Sequence, residues 1–135
     1  MTFMEWEQRF ELGVAAMDAE HKGLIAAMNH VHDLDAANAA KSTIDAAIGK
    51  LAELTTKHFA DEEKHMESIG FPDRRTHARI HENLLERFAG LHTSFRAGSG
   101  KVDRAFFDFL SFWLRSHILG VDRNYASHGK PAGVR

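Results

Sequence analysis

The chain has no cysteine. Disulfides, thiolate metal sites and cysteine nucleophiles are excluded, and only nitrogen and oxygen donors remain for any metal. No apolar run approaches the length needed to cross a bilayer, so no membrane insertion is expected. The formal net charge is only -2, which gives no electrostatic reason to expect nucleic acid or an anionic membrane surface as partner. The first ten residues are mixed and acidic rather than basic and then apolar, unlike a secretory signal, and a cytoplasmic protein is expected. At 135 residues the chain is long enough for one core and too short for two. Against this ordinary background one residue type is in excess: there are ten histidines.

Hydrophobic periodicity predicts four helices, over about 18–37, 43–69, 73–96 and 102–122 or slightly beyond. Asp18 is placed as the N-cap of the first. Gly70-Phe71-Pro72 ends the second, since glycine suits a helix C-terminus and proline cannot continue one. Gly98-Ser99-Gly100 makes the next turn. The first 16 residues, with Trp6 and Phe10, read as an arm packed on the helices, and Ser127 to Arg135 as a fraying tail. Amphipathic helices with short connections predict an all-α fold, an antiparallel up-down four-helix bundle with an N-terminal arm, forming a single domain over 1–135.

Folding the chain back at its turns brings seven residues to one level. A first turn at about residue 39 or 40 sets His21 beside His58. A third turn at about 99 sets His81 beside His117, and His77 close to Asp122. A second turn at about 71 sets Glu62 between His77 and His81. An error of a few residues in a turn moves these positions by roughly 3–5 Å along the axis, which the coincidence survives. His58 with Glu62, and His77 with His81, are four apart and share a helix face. His117 and Asp122 are five apart, so Asp122 requires a frayed or widened turn, or approaches from the rim.

Each of these residues stands where the apolar stripe calls for leucine or isoleucine. A lone histidine there is more often a hydrogen-bonded core residue than a ligand. Seven converging polar groups are different, because each would cost about 1–3 kcal/mol unpaired, and metal coordination satisfies them together. His30, His32, His65, His92 and His128 do not converge and read as surface or boundary residues. The stretch Asp61 to Lys64 reads as a solvated face, Glu62 excepted. Imidazole with carboxylate suits iron, zinc, copper or nickel. Five nitrogens and two carboxylates exceed the needs of one ion and fit two, with the carboxylates bridging. Carboxylate-rich di-iron bundles need two Glu-x-x-His pairs; only Glu62 with His65 has that spacing.

Trp6 with Gly13, Met17-Asp18 before His21-Lys22 and Leu24, His58-Phe59, Glu62-Glu63, His77 with His81, and Trp113 with His117 and Asp122 together resemble the hemerythrin family, in its single-domain bacterial form. The likeness covers nearly the whole chain, and no ligand position is missing. It implies a non-haem di-iron centre of two iron ions with an oxo or hydroxo bridge. His77, His81 and His117 would saturate one iron. His21 and His58 would hold the other and leave a position open for dioxygen. Glu62 and Asp122 would bridge the pair.

Leu24, Phe59, Trp113, Leu114 and Ile118 each lie next to a candidate ligand or within one helical turn of it. They are expected to wall a dry oxygen pocket that favours carrying dioxygen over activating it, although ordinary core packing would use the same residues. The expected function is reversible dioxygen binding by a monomer that is not an enzyme, for storage or for delivery to an oxygen-consuming enzyme. The competing expectations are a di-iron peroxidase or nitric oxide reductase, and an oxygen, redox or iron sensor.

Overall fold

The structure is a computed structural model describing residues 3–128, with the side chains of Val121, Ser127 and His128 outside the description. A short 3-10 turn at Gln8–Phe10 precedes α1 (Ala15–Ala36), α2 (Lys41–Ser68), α3 (Arg74–Ala97) and α4 (Arg104–Ser116). α4 continues through a π-helical turn, His117–Asp122, into α5 (Arg123–His128). The described residues contain no strand, and the chain is an all-α four-helix bundle whose fourth rod is α4, the π turn and α5 together. No described helix is long and apolar enough to cross a membrane.

The first two turns share one device. At the end of α1 the N–H of Ala39 bonds the carbonyl of Leu34 and that of Asn38 bonds Asp35, with Asn38 left-handed at φ 56. At the end of α2 the N–H of Phe71 bonds Met66 and that of Gly70 bonds Glu67, with Gly70 at φ 64. This paired pattern satisfies the last carbonyls of a helix and needs a residue that tolerates positive φ, which asparagine and glycine do. At the head of α4 the Asp103 carboxylate accepts from the N–H of Ala105.

α1 begins at Ala15, three residues before the expected start, with Val14 as an N-cap that offers no side-chain bond. Asp18 is therefore not the cap. It lies in the first turn, and its carboxylate reaches backwards to accept from the N–H groups of Leu12 and Gly13, at 2.9 and 3.2 Å. It thus pins the N-terminal arm rather than starting the helix. Farther out, the Asn29 amide clasps Met4 at both its N–H and its carbonyl, each at 2.8 Å. Phe10, Leu12 and Met4 are buried as a result, and Trp6 packs edge-on to Phe10 with the Lys22 ammonium over its ring.

At the far end the structure corrects a second expectation: Ser127 and His128 continue α5 rather than fray. The rest of the expected tail, 129–135, and the His128 side chain lie outside the described residues.

The core divides along the bundle axis. Met28, Val31, Ile48, Leu51, Phe88, Phe106 and Leu110 fill the half toward the α1–α2 and α3–α4 turns. Met17, Met66, Phe71 and Tyr125 close the end near the α2–α3 turn. Between these apolar layers sits a polar one. An apolar groove of about 680 Å³ runs between α3 and α4, bordered by Leu84, Phe109 and the exposed Phe112.

Replacing Asp18 with Ala removes two hydrogen bonds to a charged acceptor. Denaturant unfolding should show a loss of about 2–3 kcal/mol, and limited proteolysis should cut first near Gly13. An arm that resists protease as before would show that Asp18 does not hold it.

Candidate metal centre

The polar layer consists of His21 from α1, His58 and Glu62 from α2, His77 and His81 from α3, and His117 and Asp122 from the π turn. None is more than 3% exposed. The one-turn spacings on α2 and α3 aim each pair inward together. The five-residue spacing from His117 to Asp122 would place the two about 140° apart around an α-helix. The π turn spans that interval and points both at the same centre.

The seven form two overlapping groups, both of which include Glu62 and Asp122. Asp122 sets Oδ2 3.1 Å from His21 Nε2, and Oδ1 3.0 and 2.9 Å from the Nε2 atoms of His77 and His117. Glu62 divides in the same sense. Its Oε2 faces His21 and His58 at 3.6 and 3.4 Å, and its Oε1 faces His81 at 3.0 Å. Each carboxylate thus gives one oxygen to a two-histidine group and the other to a three-histidine group.

Several of these buried atoms have no hydrogen-bond partner: both nitrogens of His21, His58 Nε2, Glu62 Oε1 and both Asp122 oxygens. His117 Nε2 lies 3.2 Å from His77 Nε2 and 3.1 Å from His81 Nε2. Two nitrogens about 2.1 Å from one ion and at right angles to each other are about 3.0 Å apart, close to these separations. Orphaned buried donors and acceptors converging at ligand-edge distances fit a cation, and the all-nitrogen-and-oxygen set fits a first-row transition metal.

Three further residues brace the layer. His58 Nδ1 meets Glu20 Oε1 at 2.6 Å, and His81 Nδ1 meets Glu63 Oε2 at 2.9 Å. A carboxylate on the outer nitrogen fixes the tautomer that leaves the inner nitrogen free for a metal. Glu20 was not singled out in the sequence, and Glu63, quoted only as part of the family resemblance, was otherwise read as a solvated face. The Tyr125 hydroxyl donates to Glu62 Oε2 at 2.8 Å; this residue lies beyond the expected helix end. Their only sequence signals are adjacency to His21 and to Glu62, and that Tyr125 is the single tyrosine.

The remaining histidines whose side chains are described stay apart from the layer. His30 is exposed, His32 stacks on Phe3 with Phe107 at its edge, and His65 lies against the Tyr125 ring. His92 is buried, unlike a surface residue, and pairs with Asp45 at 2.8 Å.

The five residues expected to wall a pocket are all buried. Phe59 stacks flat on the His81 ring at 3.9 Å, and Trp113 stands edge-on to both Phe59 and His117. Leu24 lies beside His58. Leu114 and Ile118 belong to the same core.

Without a cation the layer must balance its own charge. Burial would lower the His21 pKa, but the Asp122 and Glu62 carboxylates beside its ring outweigh it and raise it to about 9. His117 rises to about 9 in the same way, burial being overcome chiefly by the Asp122 charge. Burial alone would raise Glu62 and Asp122, yet the surrounding imidazoles hold both below the ordinary carboxylate range. Tyr125 moves up, through burial and then the Glu62 charge, and stays a neutral donor. Protons on the histidines occupy the role a metal would take, and metal uptake releases them.

Comparison with known proteins follows this geometry. A helical bundle with a buried, sulfur-free cluster of this kind belongs to the cation-binding bundles. The family described as Hemerythrin HHE cation binding domain matches residues 12–128. The bacteriohemerythrin of Stenotrophomonas maltophilia is 32% identical over 130 residues, covering 96% of this chain and 84% of the relative. A myohemerythrin of Theromyzon tessulatum is 31% identical, covering 90% and 89%. A crystal structure of a hemerythrin point mutant superposes with a TM-score of 0.85 at 30% identity, covering 95% of this chain and 98% of that one. The chain belongs to the hemerythrin family, whose members bind non-haem iron.

Two outcomes test the layer. In the metal-free protein, the stability contributed by His21 and His117 is full below pH 6.5, their ordinary value, and is lost as pH rises through about 9. That from Glu62 and Asp122 is present above their ordinary values of 4.5 and 3.8 and is lost on acidification. Thermal unfolding should therefore peak in the interval between, and the alkaline loss should vanish once metal is bound. A metal-free melting temperature flat from pH 6.5 to 9 would contradict this charge balance. Separately, inserting one alanine after Gly120 should carry Asp122 about 100° off the layer, because the wide turn absorbs one extra residue and not two. Helical content should hold while bound metal falls by half or more. Full metal content after the insertion would mean that the wide turn is not what positions Asp122.

Proposed function

We propose that this chain binds dioxygen reversibly at a non-haem di-iron centre, for storage or for delivery to an oxygen-consuming enzyme. The observation that carries the reading is the division of Glu62 and Asp122, each with one oxygen toward two histidines and the other toward three. In this assignment His77, His81 and His117 would hold one iron and His21 and His58 the other, with Glu62 and Asp122 shared between them. The second set offers one nitrogen fewer, which would leave its ion able to take a further ligand. Membership of the hemerythrin family supports the same choice of metal and ligand.

An iron pair held there supplies electrons and an open coordination position for a diatomic ligand. The chain's residues supply everything around it. Glu20 and Glu63 keep the inner nitrogens of His58 and His81 unprotonated and aimed at the centre. Leu24, Phe59, Trp113, Leu114 and Ile118 exclude water, which would otherwise deliver protons and carry away a reduced oxygen species. Among the described residues, the only other hydroxyl bonded to the layer is that of Tyr125, and its proton is committed to Glu62. Among the described residues, the acids nearest the two-histidine side are already engaged, Glu20 with His58 and Lys57 with Asp61, and this favours carriage over catalysis.

The reading includes one domain and one chain. Among the described residues Phe112 is the only large apolar side chain that is exposed, whereas obligate partners bury broad apolar patches.

The test is the visible spectrum of the reduced, iron-loaded protein. A band should appear in air and disappear when oxygen is removed, through repeated cycles, with two irons per chain by metal analysis. Irreversible decay to the oxidised form would replace carriage by redox catalysis or sensing. Changing Ile118 to Ser should leave the band in place but hasten its irreversible loss by about tenfold, a barrier change of about 1.4 kcal/mol. An equally long-lived band in that variant would remove the dry wall from the account.

A further inference from the structure

Between α1 and α2 the surface dips into a hollow of about 210 Å³, lined by Glu20, Gly23, Leu24, Leu54, Lys57 and His58. Its floor is the two-histidine end of the metal layer: His58 itself, and Leu24 one turn beyond His21. Leu24 and His58 are 1% and 2% exposed, so the floor is closed but one side chain thick. The rim is polar. The Lys57 ammonium sits 2.6 Å from Asp61 and 3.7 Å from Glu20, while Leu24 and Leu54 make the interior apolar.

Gly23 is the informative residue. Glycine inside a helix is unfavourable relative to alanine, and neither packing nor conformation requires it here. A Cβ at Gly23 would meet nothing within 4 Å, and its φ is not positive. Gly49, Gly90 and Gly120 are equally open, but only Gly23 lines a hollow against the two-histidine group. Its missing side chain keeps one wall low.

Other recesses among the described residues also touch the layer. The α3–α4 groove ends on His117, and a smaller recess of about 260 Å³ ends on His77. Both reach the three-histidine end, which has no position to fill.

We propose that the α1–α2 hollow is the port through which a small uncharged molecule reaches the two-histidine end, with Gly23 setting its bore and Leu24 acting as the inner gate. The proposal rests on the reading of the chain as a dioxygen carrier. His58 is tethered to Glu20, whereas Leu24 is held by packing alone, so Leu24 is the part of the floor that a guest can displace without breaking a hydrogen bond.

A port is part of the path and of neither end state. Obstructing it must slow entry and exit by the same factor and leave affinity unchanged. In the iron-loaded protein, Gly23→Phe should slow oxygen association and dissociation by about tenfold each, with Gly23→Ala intermediate and the spectrum unaltered in both. Xenon-pressurised crystals of the iron-loaded protein give a readout free of oxygen chemistry. Xenon should occupy the hollow in the wild type and be excluded by Gly23→Phe. The proposal is overturned by unchanged rates in Gly23→Phe, by rates that fall instead when Leu84→Trp fills the α3–α4 groove, or by a hollow that takes no xenon. If the wild type binds no oxygen at all, the reading of function fails, and xenon then decides alone whether the hollow admits a small uncharged guest.

Discussion

Two carboxylates that each face both ways hold this structure in its particular form. Glu62 and Asp122 come from different rods, yet each divides its oxygens between the same two sets of imidazoles. Carboxylates so deeply buried are tolerable only beside compensating positive charge. That requirement forces α1, α2, α3 and the fourth rod to one level, because no single helix carries enough partners. The apolar layers on either side fix the spacing of the rods, and the arm covers one flank. With protons on the histidines the balance is internal; with metal it passes to the ions. The imidazole nitrogens already stand at ligand-edge separations, so the site is built before it is filled.

The cross-braces show how that precision is reached. Glu20 on α1 holds a histidine of α2, and Glu63 on α2 holds a histidine of α3. Each carboxylate spans one helix–helix contact, so a small slide of either helix would misalign an imidazole as well as loosen packing. The three-to-two split of histidines then makes the two ends unequal, and the hollow between α1 and α2 lies at the poorer end. In the proposed reading, affinity and access depend on different side chains: His21 and His58 would hold the ion, and Gly23 and Leu24 would set the way in.

Much of this was legible in the sequence for a simple reason. The four-residue spacings of His58 with Glu62 and of His77 with His81 are properties of any α-helix, and the turns at Asn38 and Gly70 carry their own residue chemistry. Reflection about those turns and the one near Ser99 was enough to gather all seven residues. Glu20 and Glu63 were not legible, because each sits beside a cluster residue in a charged stretch that looks like an ordinary wet surface. Which histidine it meets depends on how neighbouring helices rotate, and local pattern does not encode that rotation. Asp18 was misassigned because an aspartate in the first turn and one just before it give the same signal. His92 looked superficial until Asp45, far away in sequence, proved to be its partner.

The widened turn at His117–Asp122 has a consequence for everything that follows it. One extra residue in a turn shifts the phase of the later helix by about 100° relative to the earlier one. Tyr125 lies eight residues after His117, which in an uninterrupted α-helix would set it about 80° off that face. Counted across the wide turn the interval behaves as seven residues, about 20° off, and the phenol arrives at Glu62. A single backbone irregularity therefore aligns a carboxylate and its neighbour's hydrogen-bond donor together. A designer who transplanted the seven cluster residues and Tyr125 onto a straight four-helix scaffold would keep six of the eight aimed inward, and would lose Asp122 and Tyr125 as a unit.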